Sequence, residues 1–286
     1  SVITWGNSNY GSSNGTSISS VSDKLTSGVK EIFAVDVISG NGSESPTSFA
    51  ALKDDGSVVT WGFFSKNLNG SWLGWESTDT SSVSDKLTSG VKQISSNSGA
   101  FAALKEDGSV ITWGNSNYGG DSSNFNSQLN SGVVNIYSAG RAFAALKDDG
   151  SVITWGSQYA GGDSSHVSDK LTSGVVNIYS NYGSFAALKD DGSVVTWGNE
   201  DNYMMQYGGD SSSVSDKLTS GVTNIYPSSN GYNALKDDGS VVIWGWAMSS
   251  NSTSQLNSGV VNIYSNDGSF AALKDDGSVV TWGNSN

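Results

Sequence analysis

The stretch that decides the fold is FAALKDDGSVVTWG, residues 49–62. A short apolar run and an alternating run flank an Asp-Gly pair, which is a strong signal for the turn of a β-hairpin. The same pattern recurs along the whole chain with small changes. The predicted hairpins span residues 49–62, 101–114, 143–156, 185–198, 232–245 and 270–283.

A third strand is predicted ahead of each hairpin. VVNIYS, residues 175–180, alternates and is rich in β-branched side chains, as strands are. We call this segment strand A, the apolar run strand B and the SVVTWG run strand C. The tryptophans of the Trp-Gly pairs lie 38 to 56 residues apart, a spacing typical of propeller blades and of some solenoids. Because no long segment has helical periodicity, helical repeats are disfavoured.

The linkers between the repeats predict a fourth element. Strand C ends at the opposite edge of a blade from the start of the next strand A, so the chain needs a returning segment. VSDKLTSG supplies it at residues 21–28, 83–90, 167–174 and 214–221, and we interpret it as an outer strand D. Antiparallel blades of three to four strands, repeated radially, form a β-propeller. The sequence therefore predicts an all-β fold, with residues 1–286 in a single propeller domain.

The two ends of the chain carry the same strand. SVITWG at residues 1–6 repeats the C strand SVVTWG at residues 278–283. We predict six blades and a ring closed by the N-terminal segment 1–28, whose D segment pairs with the last blade. The strand at residues 1–6 is then surplus and is displaced outward or pairs with a neighbouring chain, which would give an oligomer. A seven-bladed ring with one incomplete blade is the alternative.

Composition limits the function classes. A hydrophobic content of 36% with ten tryptophans provides a core, and we interpret the repeated tryptophans as packing between blades. The formal charge is −13 and Arg141 is the single arginine, which argues against a nucleic-acid partner. The absence of cysteine excludes disulfides and thiolate metal sites. No apolar run is long enough for a transmembrane helix, so no membrane insertion is expected.

The repeat resembles a known family. ALKEDGSVITWGNSNYGG, residues 103–120, followed by SGVVNIYS, residues 131–138, is similar to the repeat of the regulator of chromosome condensation propellers, in which an A-L-x-x-D-G-x-V-x-x-W-G hairpin leads into an N-x-Y-G turn. The resemblance covers all six units, and it is strongest to the bacterial branch that includes a secreted proteinaceous β-lactamase inhibitor. It implies a propeller that works by contact with other proteins. The exchange-factor and chromatin-binding activities of the founding member have no matching residues here.

Strand parity divides the loops between two faces. The A-to-B loops and the beginnings of the C-to-D linkers share one face, which we call the variable face. The Asp-Asp-Gly turns and the Thr-Ser-Gly turns share the other, which we call the turn face. The turn face carries acidic pairs such as Asp54 and Asp55. We interpret these pairs as solvated turns, because their spacing lacks the alternation of a calcium loop.

The variable face carries the candidate site residues. Arg141 is in an A-to-B loop, and the other candidates are aromatic residues and methionines in the linkers. These residue types are enriched at the centres of protein interfaces. Burial of the same side chains in small satellite cores is the alternative interpretation. The predicted partner-binding residues are Phe63, Phe64, Trp72, Trp75, Arg141, Tyr203, Met204, Met205, Tyr207, Trp246 and Met248.

Catalysis has little support in the sequence. The single histidine, His166, has no cysteine or second histidine to form a nucleophile and base pair or an imidazole metal site. We therefore predict a non-enzymatic module, without cofactor or metal, that binds a protein or glycan through the variable face. The alternatives are a structural or adhesive repeat module of a larger surface protein and, third, a polysaccharide-active enzyme. A secreted or cell-surface bacterial protein is expected.

Overall fold

Six three-stranded antiparallel sheets make up the fold. The computed structural model describes residues 21–35, 48–62, 80–198, 207–245, 253–266 and 269–283. Each sheet, or blade, is formed by one repeat, with the strands in the order A, B, C. The strands are β1 Val29–Val35, β2 Ser48–Lys53, β3 Val58–Gly62, β4 Val91–Ser96, β5 Ala100–Lys105, β6 Val110–Gly114, β7 Val133–Ser138, β8 Ala142–Lys147, β9 Val152–Gly156, β10 Val175–Ser180, β11 Ser184–Lys189, β12 Val194–Gly198, β13 Val222–Ser228, β14 Gly231–Lys236, β15 Val241–Gly245, β16 Val260–Ser265, β17 Ser269–Lys274 and β18 Val279–Gly283.

The expected all-β class with six blades is confirmed, but the predicted strand D is wrong. In the described residues the linkers form short helical turns instead. One is an α-helix, α1, at Asn126–Leu129. The others are 3-10 helices at Ser22–Leu25, Ser84–Leu87, Ser116–Tyr118, Ser123–Phe125, Gln158–Ala160, Ser165–Lys170, Ser212–Leu218 and Thr253–Leu256.

Local chemistry explains why VSDKLTSG turns rather than extends. The threonine after each turn bonds back to the backbone, as when the Thr88 hydroxyl donates to the Asp85 carbonyl at 3.0 Å. Such side-chain bonds to nearby backbone compete with a strand ladder. The leucine of the motif then points inward, and Leu87 is only 3% exposed. The linker is thus pinned by one buried leucine rather than by strand pairing.

The first of these linkers contacts blade 1. Val21 and Leu25 are buried in a cluster with Ala51, Val59 and Trp61. The expected strand pairing of this segment with the last blade is therefore wrong, since Ser22–Leu25 is a 3-10 helix. Residues 1–20 lie outside the described residues. The surplus strand and the closing role of residues 1–28 stay predictions.

The chain divides into two compact units. One comprises Ser1–Ala145 and Trp155–Ser157, and the other comprises Leu146–Thr154 and Gln158–Asn286. The first contains blades 1 and 2, the second contains blades 4 to 6, and the strands of blade 3 contribute to both. The assignment of residues 1–286 to a single propeller domain stays a prediction.

Within each unit, neighbouring blades pack through two different faces. The leading face of a blade presents an isoleucine, an aromatic residue from strand B and the tryptophan; in blade 5 these are Ile225, Tyr232 and Trp244. They pack on the trailing face of blade 4, which presents residues such as Leu188 and Tyr179. The strand B aromatic ring and the tryptophan stack on each other in every blade, with centroids 5.2 to 5.4 Å apart.

Candidate functional site

The two predicted loop faces are recognisable in the contacts of the described residues. On the turn face, the Val91 N–H donates to the carbonyl of Gly56, which lies in the Asp-Asp-Gly turn of the preceding blade. A Cβ added at Gly56 would lie 2.6 Å from the backbone nitrogen of Gly90, so this contact requires glycine. On the variable face, linker residues contact A-to-B loops, as described below. The division of the loops between the two faces stays a prediction.

Most of the predicted partner-binding residues cannot be placed. Arg141 and Tyr207 belong to the described part of the chain. The others lie outside the described residues, and their role stays a prediction: Phe63, Phe64, Trp72, Trp75, Tyr203, Met204, Met205, Trp246 and Met248.

Tyr207 is held against the A-to-B loop of blade 4. Its carbonyl accepts hydrogen bonds from Asn181 Nδ2 and Ser184 Oγ, both at 2.6 Å. Its ring lies directly over Gly183, where an added Cβ would be 2.3 Å from the ring. The neighbouring ring of Tyr182 is 5.7 Å away between centroids and 48% exposed. The two tyrosines form an aromatic surface at this loop.

Tyr118 occupies the equivalent position in the linker after blade 2. Its carbonyl accepts a hydrogen bond of 2.7 Å from Asn97 Nδ2, and its ring lies over Gly99, where an added Cβ would be 2.9 Å from Cγ. Asn97 is 9% exposed, and its Oδ1 also accepts bonds from the N–H groups of Gly99 and Ala100. The side chain of Asn97 therefore fixes both the loop and the tyrosine.

Arg141 lies over the ring of Tyr118. The guanidinium carbon is 5.3 Å from the ring centroid, within the range of a cation–π contact, worth about 0.5 to 1 kcal/mol at an exposed site. Arg141 is exposed, and a guanidinium offers five planar N–H donors that suit carboxylate acceptors. We call Asn97, Tyr118 and Arg141 the arginine platform. Residues from the A-to-B loops of blades 2 and 3 meet in it.

The sequence analysis missed Tyr118 and Asn97 as site residues. The signal for Tyr118 is the turn NSNYG at residues 115–119, in which a tyrosine directly precedes a glycine. Its glycine, Gly119, has a φ of 90° and lies close to Phe143 and Trp155. The close packing of Gly119 therefore fixes the backbone next to Tyr118. Nothing in the local pattern marks Asn97, because its partner lies 21 residues further along the chain.

The acidic pairs of the turn face form hydrogen-bonded turns. Asp55 Oδ1 accepts bonds from the Ser57 hydroxyl at 2.6 Å and the Ser57 N–H at 2.9 Å. These bonds hold the pKa of Asp55 below its usual value. The same arrangement recurs at Asp107, Asp149, Asp191, Asp238 and Asp276. Within the described ranges, no three acidic, histidine or cysteine side chains form a group that could hold a metal ion.

Comparison with known proteins finds a family similar to one of the repeats. The model of the regulator of chromosome condensation (RCC1) repeat matches residues 91–119, which contain β4, β5, β6 and Tyr118. Among curated proteins no match was found. No helix of the described residues is long and apolar enough to cross a membrane.

Several solved structures are similar to this chain. Human WBSCR16 has 17% identity and a TM-score of 0.46, covering 89% of this chain and 77% of that chain. Yeast RCC1 (Prp20), solved with Kap60 bound to it, has 15% identity and a TM-score of 0.43, covering 99% and 84%. The CRINKLY WD40 ectodomain of the Arabidopsis thaliana receptor kinase ACR4 has 14% identity and a TM-score of 0.44, covering 82% and 76%.

The resemblance to the bacterial inhibitor branch stays a prediction. The residues matched by the family model hold one complete A, B and C unit and its NSNYG turn. The other five hairpins carry the same sequence pattern. Residues 91–119 are therefore similar to the RCC1 repeat, and the other repeats share their sequence pattern.

Proposed function

We propose that this chain is a non-enzymatic binding module that recognises a protein partner through its variable face. The observation that carries the proposal is the arginine platform. In it an exposed cation lies on a half-buried ring, whose backbone is held by a buried amide. Arginine and tyrosine are among the residues that contribute most to protein interfaces. Preorganisation on a rigid blade lowers the entropy lost on binding.

The electrostatics of the chain favour a partner with a basic surface. A formal charge of −13 steers positively charged molecules toward this protein and repels acidic ones. Arg141 provides the opposite sign at one point, where it would pair with a carboxylate or a carbonyl of the partner. The net negative charge would favour the approach of the partner, and the contact with Arg141 would set its orientation.

A glycan partner is the second candidate. The Tyr182 and Tyr207 rings form a partly exposed aromatic surface, and an aromatic ring joins an apolar face to a polar hydroxyl. A structural or adhesive repeat module and a polysaccharide-active enzyme are the other candidate functions. Both differ from the proposal in the effect expected of replacing Arg141, because neither function depends on one exposed cation.

The test compares two variants that each remove one positive charge. Arg141→Ala removes the guanidinium from the platform, and Lys92→Ala, the control, removes an exposed ammonium from β4. Wild type and both variants are used as bait on extracts and glycan arrays from the source organism. Affinity for the captured partner is then measured by biolayer interferometry.

We expect Arg141→Ala to weaken binding about tenfold or more, equivalent to about 1.4 kcal/mol, and Lys92→Ala to leave it unchanged. Equal affinities for wild type and Arg141→Ala would refute the proposed role of the platform. A signal only on the glycan array would select the second candidate. Thermal unfolding of each variant checks that its fold is intact.

A further inference from the structure

The outer edge of strand C in blade 4 has no neighbouring strand in the described part of the chain. The strand order of this sheet is β10, β11, β12, so β12 pairs on one side only. The Lys189 N–H donates to the Ser193 carbonyl at the start of the β11–β12 ladder. Hydrogen-bonded and non-bonded pairs alternate along an antiparallel ladder. The backbone N–H and C=O groups of Val194 and Thr196 therefore point outward, away from β11.

The linker covers this edge less completely in blade 4 than in blade 3. In blade 3 the N–H of Val152, the equivalent of Val194, donates to the Leu171 carbonyl of the following linker at 2.9 Å. Within the described residues of blade 4, no backbone group accepts from the Val194 N–H in this way. Val194 and Thr196 instead line a groove of about 710 Å³. A strand edge with unpaired backbone groups is a template for pairing with another chain.

The side chains of β12 show which linker flanks each side of the groove. Trp197 is on the leading face, and its Nε1 donates to the Gly161 carbonyl in the linker after blade 3. Thr196 points to the opposite face, because successive side chains of a strand alternate. Its Oγ1 donates to Ser211 Oγ in the linker after blade 4 at 2.9 Å. The two walls of the groove are therefore two different linkers, one on each face of the sheet.

These two walls differ in chemistry. The linker after blade 3 contributes the exposed His166 and Lys170, and the ammonium of Lys189 lies beside them, donating to the Lys170 carbonyl at 3.1 Å. The linker after blade 4 contributes mainly serine and threonine hydroxyls. The two acidic lining residues, Asp191 and Asp210, each accept a bond from a serine N–H of their own turn. The first wall suits carboxylates and the second suits side chains that bear a hydroxyl.

We propose that an extended segment of a partner protein pairs antiparallel with β12 as the fourth strand of blade 4. Its backbone bonds to the outward N–H and C=O groups of Val194 and Thr196, which is recognition by strand addition. Acidic residues at every second position face Lys170, and threonine or serine residues between them face Ser211. Since directly opposed side chains share a face of the sheet, the hydroxyl-bearing residues are those whose backbone faces β12.

The occupant is a peptide because the floor of the groove offers backbone donors and acceptors in the spacing of a strand. The probe is a fluorescein-labelled peptide, Thr-Glu-Thr-Glu-Thr-Glu-Thr with blocked ends, titrated with the full chain and followed by fluorescence polarisation. Two further peptides carry N-methyl groups, one on its threonine amides and the other on its glutamate amides. Each has lost the N–H donors along one edge of the strand.

The protein variants test the basic wall. Lys170→Glu reverses its charge. Lys86→Glu is the matched control, because Lys86 is an equally exposed lysine in the smaller, equivalent groove of blade 2, of about 440 Å³. Arg141→Ala separates this site from the arginine platform. Thermal unfolding of each variant checks that its fold is intact.

We expect the unmodified and glutamate-methylated peptides to bind with similar affinity, and the threonine-methylated peptide to bind about tenfold more weakly or not at all. Lys170→Glu should weaken binding about fivefold, whereas Lys86→Glu and Arg141→Ala should bind as wild type does. Absence of binding by the unmodified peptide would overturn the proposal, as would equal binding of all three peptides. Loss of binding only on glutamate methylation would overturn the antiparallel pairing, and equal losses in Lys86→Glu and Lys170→Glu would overturn the assignment to blade 4.

Discussion

Replacing Asn97 by alanine tests whether one buried amide holds the arginine platform. The side chain makes three hydrogen bonds, to the Tyr118 carbonyl and the N–H groups of Gly99 and Ala100, at 2.7 to 3.0 Å. A net contribution of about 0.5 to 1.5 kcal/mol per bond gives a loss of about 1.5 to 4.5 kcal/mol. The upper part of that range applies because Asn97 is 9% exposed, so water replaces the lost partners poorly.

The assay is urea unfolding followed by tryptophan fluorescence, with Asn117→Ala as the control. Asn117 is an exposed asparagine of the NSNYG turn that contains Tyr118, and its loss should change the free energy of unfolding by less than about 0.5 kcal/mol. We also expect Asn97→Ala to weaken partner binding as Arg141→Ala does, because Tyr118 would no longer be fixed. An unfolding free energy equal to that of wild type would refute the reasoning.

Three further outcomes can be measured on the same protein. Trp197→Phe should destabilise the fold by about 1 kcal/mol more than Trp113→Phe. The reason is that Trp197 Nε1 donates to the Gly161 carbonyl, whereas Trp113 Nε1 has no acceptor among the described residues. Equal urea unfolding midpoints for the two variants would contradict this prediction. Burial raises the pKa of the Tyr232 phenol. The contribution of this side chain to the free energy of unfolding should therefore be fully present below about pH 10 and be lost as the pH rises above it. Thermal melts of Tyr232→Phe should lack this part of the pH dependence. Hydrogen bonds lower the pKa of turn carboxyls such as Asp55 below 3.8. The melting temperature should therefore decline as the pH falls below that value. A melting temperature that does not change with acid would contradict this prediction.

Strands B and C could be predicted from local sequence because both strands and their turn lie in one short contiguous segment. The predicted segment 101–114 corresponds to β5 and β6 with their turn. Strand D could not be predicted by parity, because a returning chain need not be extended. The sequence does contain a helical signal, since Val83 and Leu87 are four residues apart, as neighbours on one face of a helical turn are. Strand parity predicted the direction of the returning linker, and the spacing of Val83 and Leu87 indicates that the linker is helical rather than extended.

The candidate site could be predicted only in part, since its contacts join distant segments. Parity placed Arg141 on the variable face, but the ring beneath it comes from the linker that follows the preceding blade. The side chain that fixes the Tyr118 backbone comes from a third segment, because Asn97 Nδ2 donates a hydrogen bond to the Tyr118 carbonyl. Each residue type is an ordinary one for its own loop. The platform exists because the blade frame brings the three segments together, and a single sequence does not contain that information locally.

The first strand A departs from its later copies in a way that fits an exposed position. Where blades 3 to 6 have asparagine, at Asn135, Asn177, Asn224 and Asn262, blade 1 has Glu31. In an interior interface a carboxylate would lose hydration, which costs several kcal/mol unless it is fully paired. Glu31 is exposed, so that cost is absent at its position.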